Sequence, residues 1–355
     1  GMPASRLERR AFGGVDAALR SGYGDEYTGA VARIEHRGRV VFERAYGATR
    51  DDALARPVAC DTRFDLASLT KPFVATLALQ LVAQNRLSLD DPLWTVLPEW
   101  KIGPHAAITA RMLLAHDSGM NSGADYRAIL NENVERFALR TALLAAPGER
   151  VIYSDLGFIA LGVAIERIAG RSLDSLVRAA FASTVAYRPP PRERLAIPAT
   201  EEDSWRGRVQ GFVHDEKAYL MGGAAGHAGL FGSAADVAAM TEAYLAPFAG
   251  RAGALLPEPI AREAVSEQAY DPVLRRGLGW ALKTNDENSC GRAMDASSFG
   301  HTGFVGTCVW ADPVRDVLGV LLTNGVYFGR DATPGSERSL RVRFYEAMIE
   351  DLALT

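Results

Sequence analysis

Residues 64–84 read FDLASLTKPFVATLALQLVAQ, and the fold turns on this stretch. From Ser68 to Gln84 the run is rich in Ala and Leu and predicts a helix, ended by Asn85 and the Asp90-Asp91-Pro92 cluster. Residues i and i+3 share a helix face, so Lys71 is expected to place its amine beside the Ser68 hydroxyl. A serine hydroxyl is a weak nucleophile until a base takes its proton. A lysine buried near apolar walls or other cations has a lowered pKa and serves as such a base. Ser68 also falls at the helix start, where free backbone N–H groups and the helix dipole favour an oxyanion, and Pro72 fits a first turn. The only lysines are Lys71, Lys101, Lys217 and Lys283. A serine precedes any given lysine by three residues by chance about one time in 20, so the spacing alone is modest evidence. The plain alternative is an exposed helix-start serine beside a solvated lysine.

Working outward, residues 5–21 read as an amphipathic helix carrying Leu7, Phe12, Val15 and Leu19. Residues 28–36 and 39–46 alternate as two strands around Arg37-Gly38, a hairpin signal. Residues 90–200 carry no strong strand pattern. Thr109 is placed to cap a short helix running through His116 and closed near Gly119. Residues 156–170 form an apolar helix with Asp155 at the N-cap position, and 187–216, with Pro189-Pro190-Pro191, read as an irregular excursion. Strands return at 278–283, 305–311 and 316–323, the last two joined by turn chemistry at Asp312-Pro313, and a final helix covers about 336–352. The pattern predicts an α+β fold in which both ends of the chain build one antiparallel sheet flanked by helices, with an all-helical lobe inserted. Residues 1–85 and 225–355 form the sheet-bearing α/β lobe, and 86–224 the mainly helical lobe with its excursion at 187–216.

Composition narrows the function classes. A chain of 355 residues, nearly half hydrophobic, has ample material for a large core. A net charge of −4 gives no reason to expect nucleic acid or an acidic membrane surface as partner. Cys60, Cys290 and Cys308 are too few and too odd for a disulfide framework, and read as buried or idle thiols. No HExxH string, CxxC pair or tight His/Asp cluster appears, so no metal is expected; no G-x-G-x-x-G loop appears, so no nucleotide cofactor is expected either. A G-x-S-x-G elbow is also absent, which removes the key motif of an α/β-hydrolase. No run of 18 uncharged apolar residues occurs, so no membrane span is expected. Gly1 reads as a tag remnant. With Met2 as the native start the expected location is cytoplasmic, and with a leader removed it is periplasmic or secreted.

Two further elements sharpen the reading. Tyr153-Ser154-Asp155 lies just before the 156–170 helix, and His301-Thr302-Gly303 just before a strand. With Ser68-Leu69-Thr70-Lys71, these resemble the S-x-x-K, Y-x-N and K-T-G or H-T-G elements of the penicillin-recognising serine hydrolases. That group holds class C β-lactamases, D-Ala-D-Ala carboxypeptidases and related esterases. The segments Ile108–Gly119 and Gly226–Asp236 are also similar to family segments, and the resemblance spans roughly residues 28–350. Thr200-Glu201, Arg206-Gly207-Arg208 and Val213-His214-Asp215-Glu216-Lys217 look like the penicillin-binding protein 4B branch. The resemblance implies a β-lactamase/transpeptidase-like fold and an acyl-enzyme on Ser68. Lys71 would take or relay the serine proton, and Tyr153 would shuttle it to the leaving group. Whether Lys71 or Tyr153 is the general base stays open. It further implies an oxyanion hole from the backbone N–H groups of Ser68 and Phe304, with Asp155, His301, Thr302 and Gly303 lining the substrate site.

Two departures matter. Asp155 stands where the family has Asn; an ionised Asp only accepts hydrogen bonds, so it either holds Lys71 as an ammonium, caps the helix, or does both. His301 stands where β-lactamases mostly carry Lys, and a largely neutral imidazole holds a carboxylate less firmly. This favours a D-peptidase or esterase over an efficient β-lactamase. The expected substrate is a small amide, ester or peptide, with oligomeric state undetermined. The alternative is a binding or sensor protein on the same fold, non-catalytic or turning over slowly. His116 and His227 read as supporting or backbone-bonding groups, His214 as an outside candidate for the site, and His36 and His105 as surface residues. Trp205 and Trp280 read as core packing before site walls.

Overall fold

The computed structural model describes residues 12–181, 184–330 and 339–353. Its strands are, in chain order, β1 (Gly29–His36), β2 (Arg39–Gly47), β3 (Phe64–Asp65), β4 (Ala186–Tyr187), β5 (Glu202–Asp203) and β6 (Gly207–Arg208). They continue as β7 (Leu230–Gly232), β8 (Arg275–Arg276), β9 (Ala281–Leu282), β10 (Phe299–Thr302), β11 (Cys308–Asp312) and β12 (Val317–Thr323). At the β1–β2 hairpin, Arg37 and Gly38 both have left-handed φ, 53° and 76°, as a two-residue turn matched to strand twist requires. The main sheet runs β2-β1-β12-β11-β10-β9-β8, with every pair antiparallel. The two halves of the sequence join where β1 meets β12, with Ala30 opposite Thr323 and His36 opposite Val317.

β12 is buried along its whole length because both sheet faces are covered. Val317 and Leu321 pack with Val15, Leu19, Phe344 and Met348 from the helices Gly13–Gly22 and Leu340–Ala353. Leu318, Val320 and Leu322 face the other way, into a core shared with Val237 and Met240 of the helix Ala234–Leu245. That second core also takes in Trp100, Leu139 and Ile165 from the helical stretch. The helix Thr70–Ala83 contacts the helices Asp155–Ala169 and Leu173–Ala180 and is buried on nearly all sides, which is why its sequence is apolar all round rather than striped. The antiparallel sheet with flanking helices is an α+β arrangement, as the sequence pattern predicts.

Several local expectations change. The helix expected at 5–21 begins at Gly13 within the described residues, and the closing helix is Leu340–Ala353; residues 5–11 and 336–338 lie outside the described residues. The strand expected at 305–311 begins only at Cys308, because Gly306 takes φ +125° in a turn where Gly303 N donates to Thr307 O at 2.7 Å. His301 and Thr302 themselves end a strand, β10, and the strand that follows them is β11. The helix after Thr109 stops at Leu114, before His116, whose φ of +59° is incompatible with continuing it. Ser154, not Asp155, caps the next helix: its Oγ accepts from Gly157 N at 2.9 Å, and Asp155 is the first helical residue. The excursion at 187–216, between the end of β4 and the start of the helix Glu216–Leu220, holds helical turns at Pro191–Ala196 and the β5–β6 pair. No helix among the described residues is long and apolar enough to cross a membrane.

Candidate active site

The turn that presents Ser68 is strained and pinned. Ala67 sits at φ +48°, a left-handed conformation uncommon for a side-chain-bearing residue. The buried Asp65 carboxylate accepts from Ala67 N at 2.8 Å and from His214 N at 2.8 Å, tying this turn to the excursion. Leu66 O accepts from Thr307 Oγ1 at 3.1 Å, which draws the β10–β11 turn against it. A Cβ on Gly303 would lie 2.2 Å from Thr307 Oγ1 and 2.8 Å from Leu66 O, so only glycine fits this approach. Ser68 itself is half-buried and lines a cleft with Tyr153, Arg276, His301, Thr302 and Phe304.

Lys71, fully buried, spends its three protons on three acceptors. Nζ donates to Ser68 Oγ at 3.0 Å, Tyr153 Oη at 2.7 Å and Asp155 Oδ1 at 2.8 Å. A longer contact of 3.5 Å reaches His227 O. Among the described residues no hydrogen bond joins Ser68 Oγ directly to Tyr153 Oη; Lys71 links them. Burial alone would lower the Lys71 pKa, but Asp155 and Tyr153 outweigh it and hold the ammonium above the ordinary lysine value. The expectation of a lowered lysine pKa is therefore reversed. Burial was read correctly, and the paired carboxylate decides the sign.

Asp155 is held from both sides. Lys217 Nζ lies 3.3 Å from its Oδ2 and 3.4 Å from Asp215 Oδ2. Asp215 Oδ1 caps the short helix Glu216–Leu220 by accepting from Ala218 N at 2.8 Å, and also binds His227 Nε2 at 2.6 Å. Burial opposes ionisation of both carboxylates. Lys71, His227 and Lys217 nevertheless hold Asp155 below the usual range, and His227 and Lys217 hold Asp215 well below it. Lys217 is raised for the reciprocal reason: Asp215 and Asp155 outweigh its burial. His116 supports the same wall: its O accepts from Ile152 N at 2.8 Å, its Nδ1 from Ser154 N at 3.0 Å, and its ring lies tilted against that of Tyr153, centroids 4.6 Å apart.

The opposite wall is built from β8 and β10. His301 is buried; its Nδ1–H donates to Thr302 O at 2.9 Å, leaving Nε2 without a partner. Burial, with Lys71 and Arg276 nearby, pushes its pKa down to about 3, so it is neutral at pH 7. Arg276 is 8% exposed, its guanidinium 4.9 Å from the Tyr153 ring centroid. Among the described residues that guanidinium has no hydrogen-bond acceptor or ion-pair partner, and Nε is buried and unsatisfied. Burial pulls its pKa below the ordinary arginine value. Phe304, 58% exposed, flanks the cleft, and neither its backbone N–H nor that of Ser68 donates to a protein acceptor among the described residues.

Sequence reasoning thus named Ser68, Lys71, Tyr153, Asp155, His301, Thr302, Gly303 and Phe304, and the fold gathers them in and around one cleft. It did not single out Arg276, which lies on a two-residue edge strand in an arginine-rich chain. Lys217 and Asp215 stood in a quoted motif without a role. His214 stays off the reacting groups, bonding Glu201 at 3.1 Å and stacking on Phe304. Trp280 packs in the core against Tyr244 and Phe299, and Trp205 stacks on Tyr126. His36 and His105 are half-buried rather than fully at the surface.

The chain is similar to known proteins along most of its length. The family profile described as beta-lactamase matches residues 15–342. The chain is 29% identical over 394 residues to an N-acetylmuramyl-L-alanine amidase of Bacillus subtilis (strain 168), covering 94% of this chain and 88% of that one. It is 31% identical over 379 residues to esterase EstB of Burkholderia gladioli, covering 92% and 93%. Among solved structures it superposes on EstCE1, a hydrolase with promiscuous acyltransferase activity, with a TM-score of 0.77 at 20% identity over 97% of this chain and 99% of the other.

Proposed function

The chain belongs to the beta-lactamase family and is a hydrolase of that type, and from this premise we propose that it cleaves small amides or esters through an acyl-enzyme on Ser68. The observation that carries the reading is Lys71 Nζ standing within hydrogen-bond reach of both Ser68 Oγ, at 3.0 Å, and Tyr153 Oη, at 2.7 Å. Because Lys71 rests as an ammonium, it relays rather than collects the proton. For the relay to run, Tyr153 first gives up its phenolic proton to solvent; Lys71 then passes one of its protons to Tyr153 Oη as it takes the Ser68 proton, and the net transfer runs from serine to tyrosine. The Ser68 oxygen attacks the carbonyl carbon, and the backbone N–H groups of Ser68 and Phe304 receive the oxyanion. Tyr153 then protonates the leaving amine or alcohol as the carbonyl re-forms. Water repeats the sequence to release the acid and regenerate Ser68.

Arg276 refines the substrate. A cation in the same cleft as the nucleophile, without a protein acceptor among the described residues, favours a substrate that carries a carboxylate, while the neutral His301 only lines the pocket. D-amino-acid peptides and carboxylated esters fit this better than neutral esters do. The relatives named an amidase and an esterase are consistent with acyl transfer from either kind of leaving group.

Intact-protein mass after a fluorophosphonate, together with rates on nitrocefin, a p-nitrophenyl ester and a D-Ala-D-Ala peptide, tests the proposal. The wild type gains one adduct, on Ser68, and turns over at least one substrate; Ser68→Ala folds, gains none and loses turnover. Ordinary turnover by Ser68→Ala would sink the reading. A substrate-derived acyl adduct that never clears would mark a binding or sensor protein instead.

A further inference from the structure

Lys217 lies outside the groups that the proposed acylation uses, yet it reaches the same carboxylate as Lys71. The three protons of Lys71 are committed to Ser68, Tyr153 and Asp155 Oδ1. An ionised Asp155 offers two oxygens and can only accept, and Lys71 takes only Oδ1. Lys217 Nζ forms an ion pair with Asp155 Oδ2 at 3.3 Å, from a side chain only 10% exposed. The contacts then close on themselves. Lys217 leans on Asp215, whose other oxygen holds the His227 ring, and the His227 carbonyl faces Lys71 Nζ at 3.5 Å.

We propose that Lys217 is a positioning residue for the acylation of Ser68: by binding the second oxygen of Asp155 it orients that carboxylate and offsets its charge. Asp155 with Lys217 then supports Lys71 much as a neutral carboxamide at position 155 would alone. The inference rests on the reading of Ser68 as the acylated residue. Without Lys217 the Asp155 charge would pull on Lys71 uncompensated, and the proton that Lys71 must pass on would be held more tightly. The titratable and charged groups around Lys71 are Tyr153 and Asp155 beside the helix they precede and begin, His116 after the helix at Ala110–Leu114, and Arg276 and His301 on β8 and β10. Asp215, Lys217 and His227 complete the set. Removing the Lys217 side chain takes a positive charge from Asp155 while leaving every contact of Lys71 in place.

The test is the pH dependence of fluorophosphonate labelling at Ser68, read by intact mass and peptide mapping on the full chain. Removing a neighbouring cation raises the pKa of a group that must lose a proton. In Lys217→Met the acidic limb of the labelling rate therefore moves up by about one pH unit, a loss of about 10-fold on that limb. Lys217→Arg keeps the limb near its wild-type position. The double variant Asp155→Asn with Lys217→Met brings the limb back, because an amide neither needs nor holds the second ammonium. Lys217→Met with a lower thermal midpoint but an unmoved limb would make Lys217 merely structural and overturn the inference. Where Lys217→Met does not fold, Asp155→Asn decides: the limb moves to lower pH, and an unmoved limb overturns the inference equally. Absence of label on wild-type Ser68 would instead bring down the acylation reading beneath it.

Discussion

The two walls of the cleft treat their buried charges in opposite ways. On the wall that carries Lys71, every ammonium faces a carboxylate: Lys71 bonds Asp155, and Lys217 lies between Asp155 and Asp215. On the wall built from β8 and β10, the Arg276 guanidinium meets no acceptor among the described residues and His301 Nε2 has no partner. The Arg276 guanidinium lines the cleft, with its Nε buried, whereas Lys71 is fully buried behind it. A buried pair is preorganised before substrate arrives, which suits proton transfer between groups 2.7–3.0 Å apart. An unpaired buried charge is costly by several kcal/mol, roughly, until something completes it. That suits binding, because the relief comes only with the ligand.

The largest expected effect lies on the paired wall. Lys71→Met removes the relay between Ser68 and Tyr153 and leaves Asp155 with one ammonium instead of two. Turnover should fall by about 10³-fold or more on every substrate, carboxylated or neutral, as expected for loss of a proton-transfer group. The thermal midpoint should fall as well, since a buried carboxylate loses a partner. Steady-state kinetics on a neutral ester and a D-peptide would check this. A loss confined to the D-peptide would break the contrast, because Lys71 would then be a binding group.

Arg276→Met should behave the other way. A charge-assisted hydrogen bond contributes about 1.5–3 kcal/mol, so kcat/KM for a carboxylated substrate should drop by about 10- to 100-fold. The neutral ester should change by less than about 3-fold. The free protein should hold or gain thermal stability, because an unpaired buried charge is exchanged for an apolar chain of similar length. With His301 held near about 3 by burial, KM for the carboxylated substrate should stay flat between about pH 5 and 8. A KM that rises across that window would hand the carboxylate to a titrating His301 and erase the difference between the walls.

What was legible in the sequence follows the same divide. The Lys71 wall rests on short spacings read against helical geometry, Ser68 with Lys71 and Tyr153 with Asp155, and these need no knowledge of the fold. The Arg276 wall depends on β8 pairing with β9 beside β10, through strands of two residues that carry no periodicity. β10 itself, Phe-Gly-His-Thr, is too short and mixed to announce a strand. The sign of the Lys71 pKa was legible only as one of two alternatives: Asp155 was read as holding an ammonium or capping the helix, and the structure gives it the first role while Ser154 takes the cap. Both are good caps by type. Tertiary contact decides, since Ser154 Oγ also donates to Asn121 O at 2.6 Å and so is held in the capping position.

That choice of cap gives the smallest effect and the finest test of the contrast. Ser154→Ala removes the bonds of Oγ to Gly157 N and Asn121 O, and leaves the backbone bond from Ser154 N to His116 Nδ1 intact. Loss of a capping hydroxyl costs about 1 kcal/mol, so the thermal midpoint should fall by about 2 °C. Tyr153 and Asp155 are each still fixed by Lys71, and Asp155 also by Lys217, so turnover should fall by less than about 5-fold, within one lost hydrogen bond. Melting curves and kcat measured side by side separate the two quantities. A collapse in kcat approaching that of Lys71→Met, with only a small thermal shift, would show that the paired wall takes its geometry from the helix cap rather than from its own charges.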